Sequence, residues 1–165
     1  MGMYGNYVRI SKEDARKIQA NEIPIWDVLF SEEPTFFNDP NVSLEIDKFW
    51  HIMHYVLSDG SDGATADPLS KAVMGGLVLV EEDCTAFLIT DEDVRAICDA
   101  FSVVSHDWLK SRFRWGDMIA KQIYLAHEHL GEDEMFNDML HTTRQIIEFF
   151  NKAKAENQFV IFSIS

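Results

Sequence analysis

The sequence predicts an α+β protein: a single domain over residues 1–165, with a small mixed β-sheet and several helices packed against it. Three observations carry this reading. Apolar residues recur at helical spacing over 132–156, through Met135, Phe136, Met139, Leu140, Thr143, Ile146, Ile147 and Phe150. Short apolar runs, "MYGNYVRI" at the start, "LVLV" and "TAFLIT" in the middle and "QFVIFSIS" at the end, read as strands. A chain of 165 residues suits one domain, and buries about 70% of its unfolded surface without a disulfide or metal staple.

The elements follow in order. After the first strand, Ser11 caps a helix, with Asp14 three residues on in a shortened capping box. "EIPIWDVLF", 22–30, predicts a short helix with Pro24 in its first turn, where a missing N–H is harmless. "SEEPTFFNDPN" is loop, and a helix is expected from about Val42 to Leu57. "SDGSDGATADP" ends it in a long connection. A short helix, "PLSKAVM", stops at Gly75-Gly76, which adopt a left-handed cap without steric cost. Two strands then flank the acidic turn Glu81 to Asp83, and Thr90 and Asp93 cap a helix near 91–104. Further helices follow. The last has acidic residues at its start and Lys152 and Lys154 at its end, as the helix dipole prefers. "QFVIFSIS" is apolar on both faces, which places it inside the sheet, beside the first strand.

Charge excludes whole classes of function. With 28 acidic against 14 basic residues the net charge is −14. A nucleic-acid binder neutralises phosphates with Lys and Arg, so this balance argues against DNA, RNA and anionic membranes. It suits a solvated surface or a basic partner. Cys84 and Cys98 make no disulfide framework, and Cys98 shares an apolar helix face with Val94, Ile97 and Phe101. The first residues lack the order of a signal peptide, position 6 is Asn where myristoylation needs Ser or Thr, and no apolar run has the length of a membrane span. The expected location is the cytoplasm.

The stretch "DKFWHIMHYVL", 47–57, holds an aspartate, a tryptophan and two histidines. With Ile46 at zero on a regular helix, Trp50, Met53 and Leu57 fall within about 40° and form the core stripe. His54, Asp47 and His51 fall near about 80°, 100° and 140° on one adjoining flank. That spacing allows an Asp47–His51 pair, which prepares a general base or orients a metal-bound imidazole. It equally describes a polar seam beside a core, with Asp47 at a helix start and His54 on a loop carbonyl.

Other stretches fail on geometry. "SHD" at 105–107 spells a hydrolase triad, but adjacent side chains diverge, and Ser105 is better read as a cap. In the helical pattern read for "HEH" at 127–129, His127 and His129 lie about 200° apart and cannot share a metal. "DGSDGATAD" lacks the alternation and closing glutamate of a calcium loop. There is no dinucleotide or phosphate-binding glycine motif.

"LEIDKFWHIMHYVLSDG" resembles the signature of the YfbM-like family, uncharacterised and mostly bacterial proteins. "MGMYGNYVRIS", "PLSKAVMGG" and "FFNKAKAENQFVIFSIS" are similar to its opening, its Pro-Leu-Ser and Gly-Gly segment and its ending. A departure is Leu125, after Tyr124 in "QIYLAHEHL", where the resemblance implies that relatives often carry proline. The resemblance implies one α+β domain and brings no activity, cofactor or substrate. Its matched positions are Asp47, Lys48, Trp50, His51, His54, Pro68, Leu69, Ser70, Gly75 and Gly76. Of these, Asp47, His54 and Ser70 are expected to line a cleft, Leu69, Gly75 and Gly76 to set the backbone, and Trp50 to enter the core.

Two functions remain open. One is a non-catalytic interaction protein, of an immunity-type or regulatory kind, for a basic protein partner. The other is a small-molecule or metal-assisted hydrolase centred on Asp47, His51 and His54, with Ser70 as a further group. The favoured reading is the first, with no catalytic residue, metal or cofactor assigned.

Overall fold

The computed structural model describes residues 2–32, 38–63 and 65–165. Five strands form one sheet: β1 (Gly5–Ile10), β2 (Ser43–Glu45), β3 (Leu77–Glu81), β4 (Thr85–Ile89) and β5 (Phe159–Ile164). Their order is β2-β1-β5-β4-β3. The α+β class stands. All four pairings are antiparallel rather than mixed, because β5 runs against both β1 and β4, and each of those against its outer neighbour. Beyond β1, Tyr4 and Ser165 exchange two backbone hydrogen bonds of 2.7 and 3.0 Å. The strand at the end of the sequence is therefore central, and it is buried along its whole length.

Alternation along the strands divides the core in two. Tyr7, Val160, Phe162 and Ile164 face the larger side, under α3 (Trp50–Leu57), α4 (Asp91–Ala100) and α7 (Glu132–Ala155). Val8, Ile10, Phe159 and Ile161 face the smaller side, where α1 (Lys12–Gln19) supplies Ala15 and Ile18 and α2 (Ile25–Phe30) supplies Val28. In α1 the Ser11 hydroxyl accepts the Asp14 N–H at 3.0 Å. Pro24 precedes α2 rather than lying within it, while Glu22 and Ile23 donate back to the Lys17 carbonyl. Thr90 caps α4 through Asp93, and Ser105 caps α5 (His106–Arg112) through the Trp108 N–H at 3.1 Å. A short α6 (Trp115–Ala120) follows.

Two expectations are corrected here. The first is the helix from Val42 to Leu57. Ser43–Glu45 instead pairs with β1, Asp47–Phe49 makes one 3-10 turn, and the α-helix begins at Trp50. Asp47 has φ +50°, which breaks regular coiling, and β1 offers the preceding residues a ladder that satisfies their backbone groups. The second is the helical pattern at 127–129, where no helix forms; upstream, Gln122 and Leu125 have φ +56° and +71°, and the chain runs through turns. Much of the loop expected over 31–41 lies outside the described residues. No helix among the described residues is long and apolar enough to cross a membrane.

The segment that follows α3 is held to the sheet from inside. The Tyr7 hydroxyl donates to the Ala72 carbonyl at 2.5 Å, and its ring packs on Phe149, Phe150 and Phe162. "PLSKAVM" forms a 3-10 turn over Pro68–Lys71 rather than a longer helix, capped by Asp67 on the Leu69 N–H. Gly76 has φ +102°, and an added Cβ there would collide with the Leu88 carbonyl. At Gly75 it would meet the Lys71 backbone.

Candidate functional site

α3 is buried at every residue except His51, which is half-exposed. A helix apolar on nearly all sides lies within a core, so α3 is a central rod rather than an amphipathic surface helix. Trp50 does enter the core, and its indole N–H donates to the Met3 carbonyl at 3.0 Å. Gly5 permits this approach, since a Cβ there would lie 2.8 Å from that of Trp50.

The two imidazoles serve different segments. His51 stacks on Trp50, with centroids 4.9 Å apart and planes within 7°, and its Nδ1 accepts the Tyr124 N–H at 2.9 Å. Acceptance at Nδ1 fixes the neutral ring with its proton on Nε2. His54 is 2% exposed and sits 3.2 Å from the Val73 carbonyl through Nδ1. A carbonyl only accepts, so here the proton is on Nδ1, and among the described residues the buried Nε2 has no partner at hydrogen-bond geometry. Burial lowers both pKa values. For His51 the neighbouring His54 lowers it further, and Asp62 opposes. For His54 the Val73 and Ser61 carbonyls and Asp62 oppose. Both rings are thus held neutral.

Asp47 and Ser70 lie apart from this pair in what they contact. Asp47 is exposed, on the 3-10 turn, and lines a cavity of about 210 Å³ with Phe49, Asp138, His141, Thr142 and Gln145. Among the described residues it makes no hydrogen bond or ion pair with His51, so the spacing-based pair is not formed. Its cause is the same break at φ +50°. Ser70 is fully buried; its hydroxyl accepts the Thr65 N–H at 2.7 Å and lies 2.7 Å from the Asp67 carbonyl and 3.2 Å from that of Thr65. Its one proton goes to backbone, and no imidazole or carboxylate side chain accepts it. Leu69 is buried in the larger core. Among the described residues no group of three His, Cys, Asp or Glu can hold a metal ion.

Sequence reasoning missed a polar network at the far end of α3. The Tyr55 hydroxyl donates to Asp117 at 2.5 Å and accepts from Arg114 at 3.1 Å, and Arg114 pairs with Asp59 at 2.9 Å. The hydrogen bond from Tyr55 holds the Asp117 carboxyl below its ordinary range, and that from Arg114 does the same for Asp59. Tyr55 and Asp59 at four-residue spacing were the one local signal; Arg114 and Asp117 lie too far along the chain for spacing to find.

With this geometry in hand, likeness to known proteins is informative. The model of a domain of unknown function, DUF1877, matches residues 1–163. The chain belongs to that family. A solved relative in structure is a protein of unknown function, YfbM from Escherichia coli, with a TM-score of 0.75, 23% identity, and 98% of this chain and 99% of that chain covered. At this identity the likeness establishes the shared fold. No curated protein matches the chain. At Leu125 the backbone has φ +71°, a value closed to proline.

Proposed function

We propose that this member of the DUF1877 family is a non-catalytic interaction protein, of an immunity-type or regulatory kind, that binds a basic protein through its acidic surface. The observation that carries the reading is how little of the acidic excess is consumed internally. Eight of the 14 Lys and Arg residues form ion pairs among the described residues, each with a different carboxylate. Lys48, Lys110 and Arg112 lie over aromatic rings instead. Among the described residues most carboxylates are therefore without a Lys or Arg partner, and the field of such a surface steers a cationic partner. The chemistry-bearing groups of α3 and Ser70, turned onto backbone, support the same reading. Two free cysteines, Cys84 and Cys98, support a reducing, cytoplasmic setting.

The test is capture by the immobilised protein from an extract of its native organism at low ionic strength, with mass spectrometric identification. A basic protein should bind stoichiometrically and be released as salt shortens the screening length from about 30 Å at 0.01 M to about 3 Å at 1 M. Failure to retain any basic protein at low salt overturns the proposal.

A further inference from the structure

The two edges of the sheet are built differently. β2 is three residues long, carries Ser43 and Glu45, and packs against α7. Strand β3, at the opposite edge, has no such cover: Leu77 and Val78 are 50% and 56% exposed. Consecutive strand residues point to opposite faces, so the first half of β3 is bare on both. Among the described residues no strand lies beyond it, and no backbone hydrogen bond outside the sheet involves Leu77 to Val80. Protein edges are ordinarily guarded by Lys, Pro or inward charges, and β3 carries no charge before Glu81. A bulge between Val78 and Val80 bends the strand and confines the regular free ladder to its first half, next to the exposed Gly76.

The end of this edge is strongly acidic. Glu81, Glu82 and Asp83 are all exposed, and none is in an ion pair among the described residues. Cys84 registers their field: its thiol is pushed up by burial, then by Asp83 and Glu82, with no cation among the causes.

We infer that the open edge of β3 docks an extended segment of a basic protein as an added strand, with Leu77 and Val78 against its apolar side chains and Glu81, Glu82 and Asp83 against its Lys or Arg. Main-chain pairing supplies affinity in such complexes and side chains supply selectivity. A second copy of this chain is the poorer occupant, because two bodies of charge −14 repel and neither edge offers a cation to the acidic turn. The inference rests on the interaction reading above and says where that interaction is made.

The test uses the whole protein and a capped peptide of alternating Lys and Val. Amide shift changes should be confined to Gly76–Cys84 and β4, and binding should weaken by about tenfold or more in Leu77→Lys/Val78→Lys. A second variant, Glu81→Gln/Glu82→Gln/Asp83→Asn, keeps the backbone edge and should lose the salt-sensitive part of binding; unchanged circular dichroism confirms that both variants fold. Shifts elsewhere, or equal binding of a peptide with Pro in place of Val, overturn the inference. So does a wild-type dimer that Leu77→Lys dissociates, since the occupant is then a second copy. If the edge variants still capture the basic protein as wild type does, the edge is not the docking site and the interaction reading stands. If wild type captures neither peptide nor protein, both fall.

Discussion

The side chain of His51 and the backbone N–H of Tyr124 are joined by a 2.9 Å hydrogen bond across 73 positions of sequence. It ties the half-exposed flank of α3 to the turns after α6, a segment with two non-glycine residues at positive φ. Those turns lack a regular ladder of their own, and the imidazole gives one of their N–H groups an acceptor.

Replacing His51 with Ala should leave that N–H without a partner. The expected cost is about 1 to 3 kcal/mol, read as a lower denaturation midpoint. Hydrogen exchange should quicken first at Tyr124 and its neighbours, ahead of the sheet. Equal protection of Tyr124 in variant and wild type would count against the role assigned to His51.

The same histidines set a pH dependence. Their pKa values in the folded protein are below the ordinary value, chiefly through burial. Between that ordinary value, about 6.5, and the lower folded one, the unfolded chain binds protons that the folded protein refuses. Stability is then fully present above pH of about 6.5 and falls as the pH drops toward the folded pKa values. Denaturation midpoints should decline over that window, and His54→Asn should flatten the decline. An undiminished slope in this variant argues that other groups govern it.

The glycines provide an internally controlled comparison. At Gly76, φ is +102° and a Cβ would strike the Leu88 carbonyl, so Gly76→Ala should cost about 3 kcal/mol or more. Gly116 lies in α6 with nothing within 4 Å of an added Cβ. Gly116→Ala should instead stabilise by roughly 0.4 to 1 kcal/mol, because alanine has fewer unfolded conformations to lose. Thermal melts of the two variants should move in opposite directions.

Tyr7→Phe isolates one buried hydrogen bond. The phenol donates to Ala72 at 2.5 Å, and burial pushes its pKa far up, so it remains a donor. Its removal leaves the Ala72 carbonyl unpaired, at about 1 to 3 kcal/mol, while the ring packing on Phe162 is kept. A loss confined to stability, with the fold unchanged by circular dichroism, is the expected result.

Much of this fold was legible because its signals are local. Ser11 with Asp14, Thr90 with Asp93, and Ser105 with Trp108 each close a cap within one turn, and the apolar spacing of α7 extends over 24 residues. β5 was legible as interior because apolar residues fall on both faces of "FVIFSI". What escaped is decided by distant partners. Ser43–Glu45 is a strand because β1 lies beside it, and its three residues carry no period of their own. The angular placement of Asp47 beside His51 assumed an unbroken helix, which one residue at φ +50° undoes. Arg114 and Asp117 reach Tyr55 through tertiary packing, which spacing cannot encode.

The position of β5 bears on how the molecule is made. Its hydrogen-bonding neighbours are β1 and β4, so during synthesis the middle of the sheet is empty until residues 159–164 have left the ribosome. Until then β1 and β4 each present an unsatisfied flank, and a nascent chain stalled before Phe159 would display both at once. Such pairings, closing over most of the chain, are slow to form and leave intermediates open to misassembly. Emergence of residues 159–164, rather than any earlier helix, is thus the event that closes the sheet.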